Sequence, residues 1–114
     1  MEIKEIVSLL DAKVVLLNHD MDYSVGYGFA SDLMSDVLTL DANELLLITG
    51  LCNVQTLRTA EMANIDLILF VRNKEVNEQM IELAQENGAT ILQCSYSMFK
   101  SVGMLYTKGL KPVF

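Results

Sequence analysis

The chain has 114 residues, 52% of them apolar, and a mean hydropathy of +0.34, which excludes an intrinsically disordered protein. Its formal net charge is −7, from 8 basic and 15 acidic side chains, and no cluster of Lys and Arg is present to contact nucleic-acid phosphates. The length is that of one typical domain, so we expect a single domain over residues 1–114.

Targeting signals are not apparent in the sequence. The segment Met1–Leu10 mixes charged and apolar residues and does not resemble a secretory signal. The longest apolar runs have the length of a strand, whereas a membrane span needs about 20 residues. The two cysteines, Cys52 and Cys94, are too far apart for a zinc knuckle and too few for a disulfide framework. We therefore expect a cytoplasmic protein that contacts neither membrane nor nucleic acid.

The first third of the chain is predicted to form a helix, two strands and a short second helix. Apolar residues recur every three or four positions in Glu2–Leu10, which predicts an amphipathic helix. The apolar runs Lys13–Leu17 and Val25–Ala30 predict strands, separated by the polar loop Asn18–Ser24. Ser31 is predicted to cap the short helix that follows.

From residue 44 onward strands and helices alternate. The predicted strands are Glu44–Thr49, Asp66–Val71 and Ala89–Cys94. The predicted helices are Val54–Asn64, Glu75–Asn87 and Tyr96–Lys108, with Gly88 as a C-terminal cap and Ser95 as the N-terminal cap of the last helix. Continuous apolar strands separated by such helices are typical of a parallel sheet buried on both faces. The predicted fold class is therefore α/β, a small three-layer domain with a mainly parallel sheet and helices on both faces.

Ligands of open parallel sheets bind where the strands end at their carboxyl termini. The residues predicted to lie there, and hence the candidate ligand-binding residues, are Ser31, Asp32, Thr49, Gly50, Asn53, Arg72 and Lys74. Thr49 and Gly50 offer a hydroxyl and an unshielded backbone, and the basic pair Arg72 and Lys74 could hold an anion. The alternatives are that Gly50 only permits a tight turn and that the basic pair is only solvated.

No known catalytic motif occurs in the sequence, and only two groups of residues offer an alternative. Asp32 and Asp36, four residues apart in the predicted short helix, could together bind a cation or perform acid–base chemistry, although the helix dipole alone also favours acids there. Cys52 follows a strand and begins a helix, a position that lowers the pKa of a thiol. The single histidine, His19, has no partner at metal-ligand spacing. We expect no catalytic residue, no metal and no enzymatic activity, with a small enzyme using Cys52 or the aspartate pair as the alternative.

The segment Leu46–Phe99 resembles the DRTGG domain in the order of its parts. These parts are LLLITG, LRTAEMANID, LILFV, LAQENGA and ILQCSYSMF. The preceding segment Phe29–Leu38 is similar to the one that precedes this core in small stand-alone members of the family. The name-giving motif differs. Where the family carries an acidic residue and Arg, this chain has Cys52–Gln55, and where the family carries Thr-Gly-Gly it has Arg72–Lys74.

The resemblance implies a fold like that of the non-catalytic amino-terminal domain of HPr kinase/phosphorylase. It also implies a regulatory or ligand-sensing module, and not a kinase, because the chain lacks a phosphate loop. DRTGG domains occur in phosphotransacetylases and between the CBS domains of pyrophosphatases that bind adenine nucleotides. The alternative is a sensor that binds a nucleotide or another anion at the carboxyl ends of the strands, for which the resemblance makes an adenine nucleotide a candidate ligand; no resident cofactor is expected.

Dimerisation is implied as well, because DRTGG domains help two chains to associate in the tandem-CBS proteins. The high apolar content agrees with a surface that is covered by a second copy or by a partner protein. The prediction is thus a non-catalytic, homodimeric regulatory module.

Overall fold

Five helices and six strands follow one another along the chain. The computed structural model describes residues 1–114. Its helices are α1 (Ile3–Leu10), α2 (Met34–Val37), α3 (Val54–Met62), α4 (Glu78–Asn87) and α5 (Met98–Thr107). Its strands are β1 (Lys13–Leu16), β2 (Tyr27–Ala30), β3 (Leu45–Thr49), β4 (Leu67–Phe70), β5 (Thr90–Gln93) and β6 (Lys111–Pro112). None of the helices is long and apolar enough to cross a membrane.

All six strands form one sheet in the order β1-β5-β4-β3-β2-β6. The pairs from β5 to β6 are parallel, and only β1 runs antiparallel to its neighbour β5. The predicted α/β class with a mainly parallel sheet is confirmed. The two-residue strand β6 was not predicted, because Pro112 removes a backbone donor and is tolerated only at the sheet edge.

Helices cover both faces of the sheet, which confirms the three-layer prediction. One apolar cluster joins α1 and α5 to the sheet, and a second joins α2, α3 and α4 to the opposite face. Successive residues of the central strands alternate between the two clusters: Leu69 belongs to the first, and Ile68 and Phe70 to the second. Every residue of β3 and β4 is buried for this reason, and their sequences are apolar without alternation.

Helix starts differ from the predictions. Helix α5 is capped by Ser97, whose Oγ accepts from the Lys100 N–H at 3.1 Å, and not by Ser95. Helix α4 begins at Glu78 instead of Glu75 because Asn77 caps it, accepting from the Met80 N–H at 2.9 Å. In each segment a later polar side chain satisfies the free N–H groups of the first turn.

The predicted cap of the short helix is also wrong. The Ser31 Oγ accepts from the Leu33 N–H at 2.9 Å and forms a turn before the helix, which starts only at Met34. The predicted C-terminal cap of α4 is confirmed, since Gly88 adopts a left-handed conformation with φ of 73°.

Candidate functional site

Three adjacent parallel strands end side by side and bring their following residues together. Strands β2, β3 and β4 are neighbours, so Asp32 after β2, Thr49 and Gly50 at the end of β3, and Arg72 after β4 meet at one edge of the sheet. We refer to these four residues as the strand-end cluster. It lies at the position where ligands of open parallel sheets bind.

The carboxylate of Asp32 is the centre of the cluster. Its Oδ1 accepts from the Gly50 N–H at 2.7 Å and from the Thr49 hydroxyl at 3.0 Å, and its Oδ2 accepts from the Arg72 guanidinium at 3.0 Å. Partial burial acts to raise the pKa of Asp32, but the hydrogen bonds from Gly50, Arg72 and Thr49 outweigh it, and the pKa lies below its usual range. Asp32 is therefore charged at neutral pH.

Arg72 is held in place by an unusual backbone. Arg72 and Asn73 both have left-handed conformations, with φ of 66° and 55°. Their N–H groups donate to the carbonyls of Tyr96 at 2.8 Å and Cys94 at 3.0 Å, which fixes the loop to the connection between β5 and α5. This arrangement turns the guanidinium back over β3.

Gly50 leaves room for the Arg72 guanidinium, which lies against its backbone. A Cβ at this position would overlap the guanidinium group. A glycine at position 50 thus has a second explanation beside the predicted tight turn: the missing Cβ allows the cationic side chain of Arg72 to approach the backbone closely. This contact could not be read from the sequence, because 22 residues separate the two positions.

The other predicted ligand residues make no direct hydrogen bond to the cluster. Asn53 caps α3, with its Oδ1 accepting from the Thr56 N–H at 3.0 Å, and Ser31 forms the turn before α2. Lys74 is exposed, and its positive charge acts on the nearby Cys52. The ligand-binding role of all seven residues stays a prediction.

The geometry does not favour the catalytic alternatives. Burial raises the pKa of the Cys52 thiol, and the charge of Lys74 offsets this only in part, so the helix start does not produce an activated thiolate. The predicted placement of Asp32 and Asp36 in one short helix is wrong, because Asp32 precedes α2 and faces Arg72 while Asp36 lies within the helix.

A second polar cluster surrounds His19, and the sequence analysis did not predict it. The His19 Nδ1 lies 2.7 Å from the Thr90 hydroxyl, its Nε2 lies 3.2 Å from Asp66, and its ring packs on Tyr23 at 4.2 Å between centroids. Thr90 is completely buried, so a substrate cannot reach its hydroxyl. The cluster instead ties the loop after β1 to the amino ends of β4 and β5. No local signal marks it, because His19 and Thr90 are 71 positions apart.

No family model matches the chain, and no curated protein matches it. A solved structure does match, with a TM-score of 0.78 and 14% sequence identity: the CBS and DRTGG domains of the regulatory region of Clostridium perfringens pyrophosphatase, complexed with the activator diadenosine tetraphosphate. The match covers 91% of this chain and 45% of that chain.

The chain has a DRTGG-like fold. The predicted resemblance is confirmed at the level of the fold, at 14% sequence identity. This chain spans less than half the length of the pyrophosphatase regulatory chain that it matches.

Proposed function

We propose that this chain is a non-catalytic regulatory module of the cytoplasm that senses a small anionic ligand, with an adenine nucleotide as the first candidate. The observation that carries the proposal is the structural match to a regulatory region solved with an adenine-nucleotide activator. Two free thiols, Cys52 and Cys94, agree with a reducing compartment. The raised pKa of the Cys52 thiol agrees with a non-catalytic role.

The ligand site that the geometry supports best is the strand-end cluster together with Lys74. The Gly50 N–H, the Thr49 hydroxyl and the Arg72 guanidinium are donors of the kind that recognise phosphate oxygens. Lys74 adds a second exposed positive charge one position beyond the Arg72–Asn73 turn. Asn53 stands at the start of α3, where the helix dipole favours an anion.

Thermal unfolding in the presence of ligands tests this proposal. Adenosine diphosphate and triphosphate, their guanine counterparts and diadenosine tetraphosphate are added separately to the purified chain. A ligand at one hundred times its Kd stabilises the folded state by about 2.7 kcal/mol, so the midpoint of unfolding rises. We expect Arg72→Gln to lose this rise and the matched control Arg58→Gln, an exposed arginine on α3, to keep it. An unchanged midpoint with every nucleotide contradicts the sensor.

We further propose that the module acts as a homodimer through the outer face of α5. Phe99 is 90% exposed and Tyr106 is 66% exposed. Both project from one side of α5, since they are seven residues apart, and Val102 lies between them on the same side. Large aromatic side chains at this exposure are enriched in interfaces. A second copy placed about a twofold axis would cover the same stripe on both chains.

The molar mass in solution tests the dimer. Light scattering at micromolar concentration is expected to give the mass of two chains for the wild type and of one chain for the double variant Phe99→Ser/Tyr106→Ser. Met62→Ser is the control, because Met62 is 69% exposed at the end of α3 on the opposite face of the sheet. A wild-type mass equal to one chain contradicts the proposal.

A further inference from the structure

The donors of the strand-end cluster all point at one position, and a side chain of the protein already occupies it. Gly50 donates its backbone N–H, Thr49 its hydroxyl and Arg72 its guanidinium, each to an oxygen of Asp32 at 3.0 Å or less. Backbone N–H, hydroxyl and guanidinium donors around one point are also the set that binds a phosphoryl oxygen. The Asp32 carboxylate therefore occupies the position that an anionic ligand would take.

The backbone that carries the three donors is anchored in the fold. Thr49 is fully buried in the centre of the sheet, and Gly50 follows it directly. The loop of Arg72 is fixed by backbone hydrogen bonds to the connection before α5. Asp32 instead lies between β2 and α2, a helix of four residues, at the outer side of these donors.

The Asp32–Arg72 ion pair is open to solvent and can exchange. The Asp32 side chain is 41% exposed and the Arg72 side chain is 43% exposed. Water screens an ion pair at this exposure, and such pairs contribute little to stability. An incoming anion cannot share the donors with Asp32, because two like charges at this distance repel each other. Binding at Gly50 and Arg72 requires the carboxylate to leave.

We propose that Asp32 is an internal occupant of an anion site and that a phosphoryl group of the ligand binds there by displacing it. This inference rests on the proposed ligand-sensing function and adds its mechanism. The ligand takes over the hydrogen bonds from Gly50, Thr49 and Arg72, and the Asp32 carboxylate turns into solvent. Asp32 thus lowers the apparent affinity, because only the fraction of molecules with the carboxylate displaced can bind.

The displacement also transmits binding to the surface of the molecule. Asp32 is the polar link between β3 and β4 and the segment that leads into α2; the segment is also held by the bond from the Ser31 N–H to the Ile48 carbonyl at 3.1 Å and by the buried side chain of Val37. This segment carries two exposed apolar residues, Leu33 at 58% and Leu38 at 47%. When Asp32 leaves the donors, the segment keeps the Ser31 bond and the buried Val37 but loses its polar link to Gly50, Thr49 and Arg72, and the apolar surface around Leu33 changes.

Calorimetric titration of adenosine triphosphate and inorganic pyrophosphate tests the displacement. The proteins are wild type, Asp32→Asn, Asp32→Ala, Arg72→Gln and Asp36→Asn, the last being a matched control that removes one negative charge from α2. We expect Asp32→Asn and Asp32→Ala to bind about tenfold more tightly than wild type because the competing carboxylate is gone. We expect Asp36→Asn to bind like wild type and Arg72→Gln to lose binding. Asp32→Asn keeps the side-chain volume, so one variant remains informative if Asp32→Ala does not fold.

The outcomes separate this inference from the proposed function. If wild type binds and both Asp32 variants bind with the same affinity or more weakly, the displacement is wrong while the sensor stands. If no protein in the series binds either probe, both are wrong. Hydrogen exchange gives an independent readout: the amides of residues 33–38 are expected to exchange faster in wild type with ligand than without it. Unchanged exchange in a protein that binds the probe contradicts the loosening of this segment.

Discussion

The close contact between Gly50 and Arg72 determines what each residue can be replaced by. Gly50→Ala is expected to push the guanidinium away from Asp32 and to lower the free energy of unfolding by about 1 kcal/mol, the scale of an exposed ion pair with good geometry. Urea unfolding measures this value. In an Arg72→Ala background the same Gly50→Ala change is expected to cost almost nothing, because no guanidinium remains to be displaced. If Gly50→Ala lowered the free energy of unfolding equally in both backgrounds, the loss would not come from the contact with Arg72.

The lowered pKa of Asp32 makes its contribution to stability dependent on pH. A carboxyl group whose pKa is lower in the folded state stabilises that state above its unfolded pKa, near 4, and this contribution is lost as the pH falls through the folded pKa. We expect wild type to exceed Asp32→Asn in free energy of unfolding by at most ~1 kcal/mol at pH 6, given the exposure of the pair. The difference should shrink below about pH 4 and with added salt at pH 6. A difference in free energy of unfolding that grows on acidification would contradict a lowered pKa of Asp32.

At the scale of the element, two glycines next to or within helices are expected to respond in opposite ways to the same substitution. Gly88 ends α4 with φ of 73°, which a residue with a Cβ adopts at a cost of roughly 1–2 kcal/mol. Gly103 lies inside α5, and a Cβ there meets no atom within 4 Å. We expect Gly88→Ala to destabilise the protein and Gly103→Ala to stabilise it by about 0.5–1 kcal/mol. Thermal unfolding of the two variants checks the signs.

Strands were easier to predict than helix starts, for a physical reason. Burial on both faces makes β3 and β4 continuously apolar, and that pattern is local. A helix start depends on which of several nearby polar side chains reaches the free N–H groups. Around α5 both Ser95 and Ser97 are available, and the folded backbone selects Ser97. At α2, Ser31 is used for a turn that carries Asp32 towards Arg72.

At the scale of the whole molecule, the central strand β4 couples the two apolar clusters. Leu69 packs with α1 and α5, and Ile68 packs with the helices of the other face, and both are completely buried. We expect Leu69→Ala and Ile68→Ala each to lower the free energy of unfolding by about 2–5 kcal/mol. Circular dichroism and intrinsic tyrosine fluorescence should report one common transition in each variant. Separate transitions for the two probes would mean that the two layers unfold independently.

The candidate site was predictable in its location and not in its chemistry. The rule that ligands bind at the carboxyl ends of parallel strands leads directly to Asp32, Thr49, Gly50 and Arg72 once the strands are recognised. That Asp32 is the partner of the other three could not be predicted, because 17 to 40 residues separate it from them. The sequence pattern instead indicated a pairing with Asp36, which the structure replaces by the pairing with Arg72.

The sequence by itself determined the α/β class, the parallel core and the edge of the sheet at which the candidate residues meet, because each follows from local hydrophobic pattern and chain order. Only the tertiary structure decided that β1 runs antiparallel at one edge, that His19 ties a loop to buried Thr90, and that Asp32 accepts the hydrogen bonds of the donors at the strand ends. These features depend on contacts between residues far apart in the chain, where hydrogen-bond geometry and burial select one partner among several of the same chemical type.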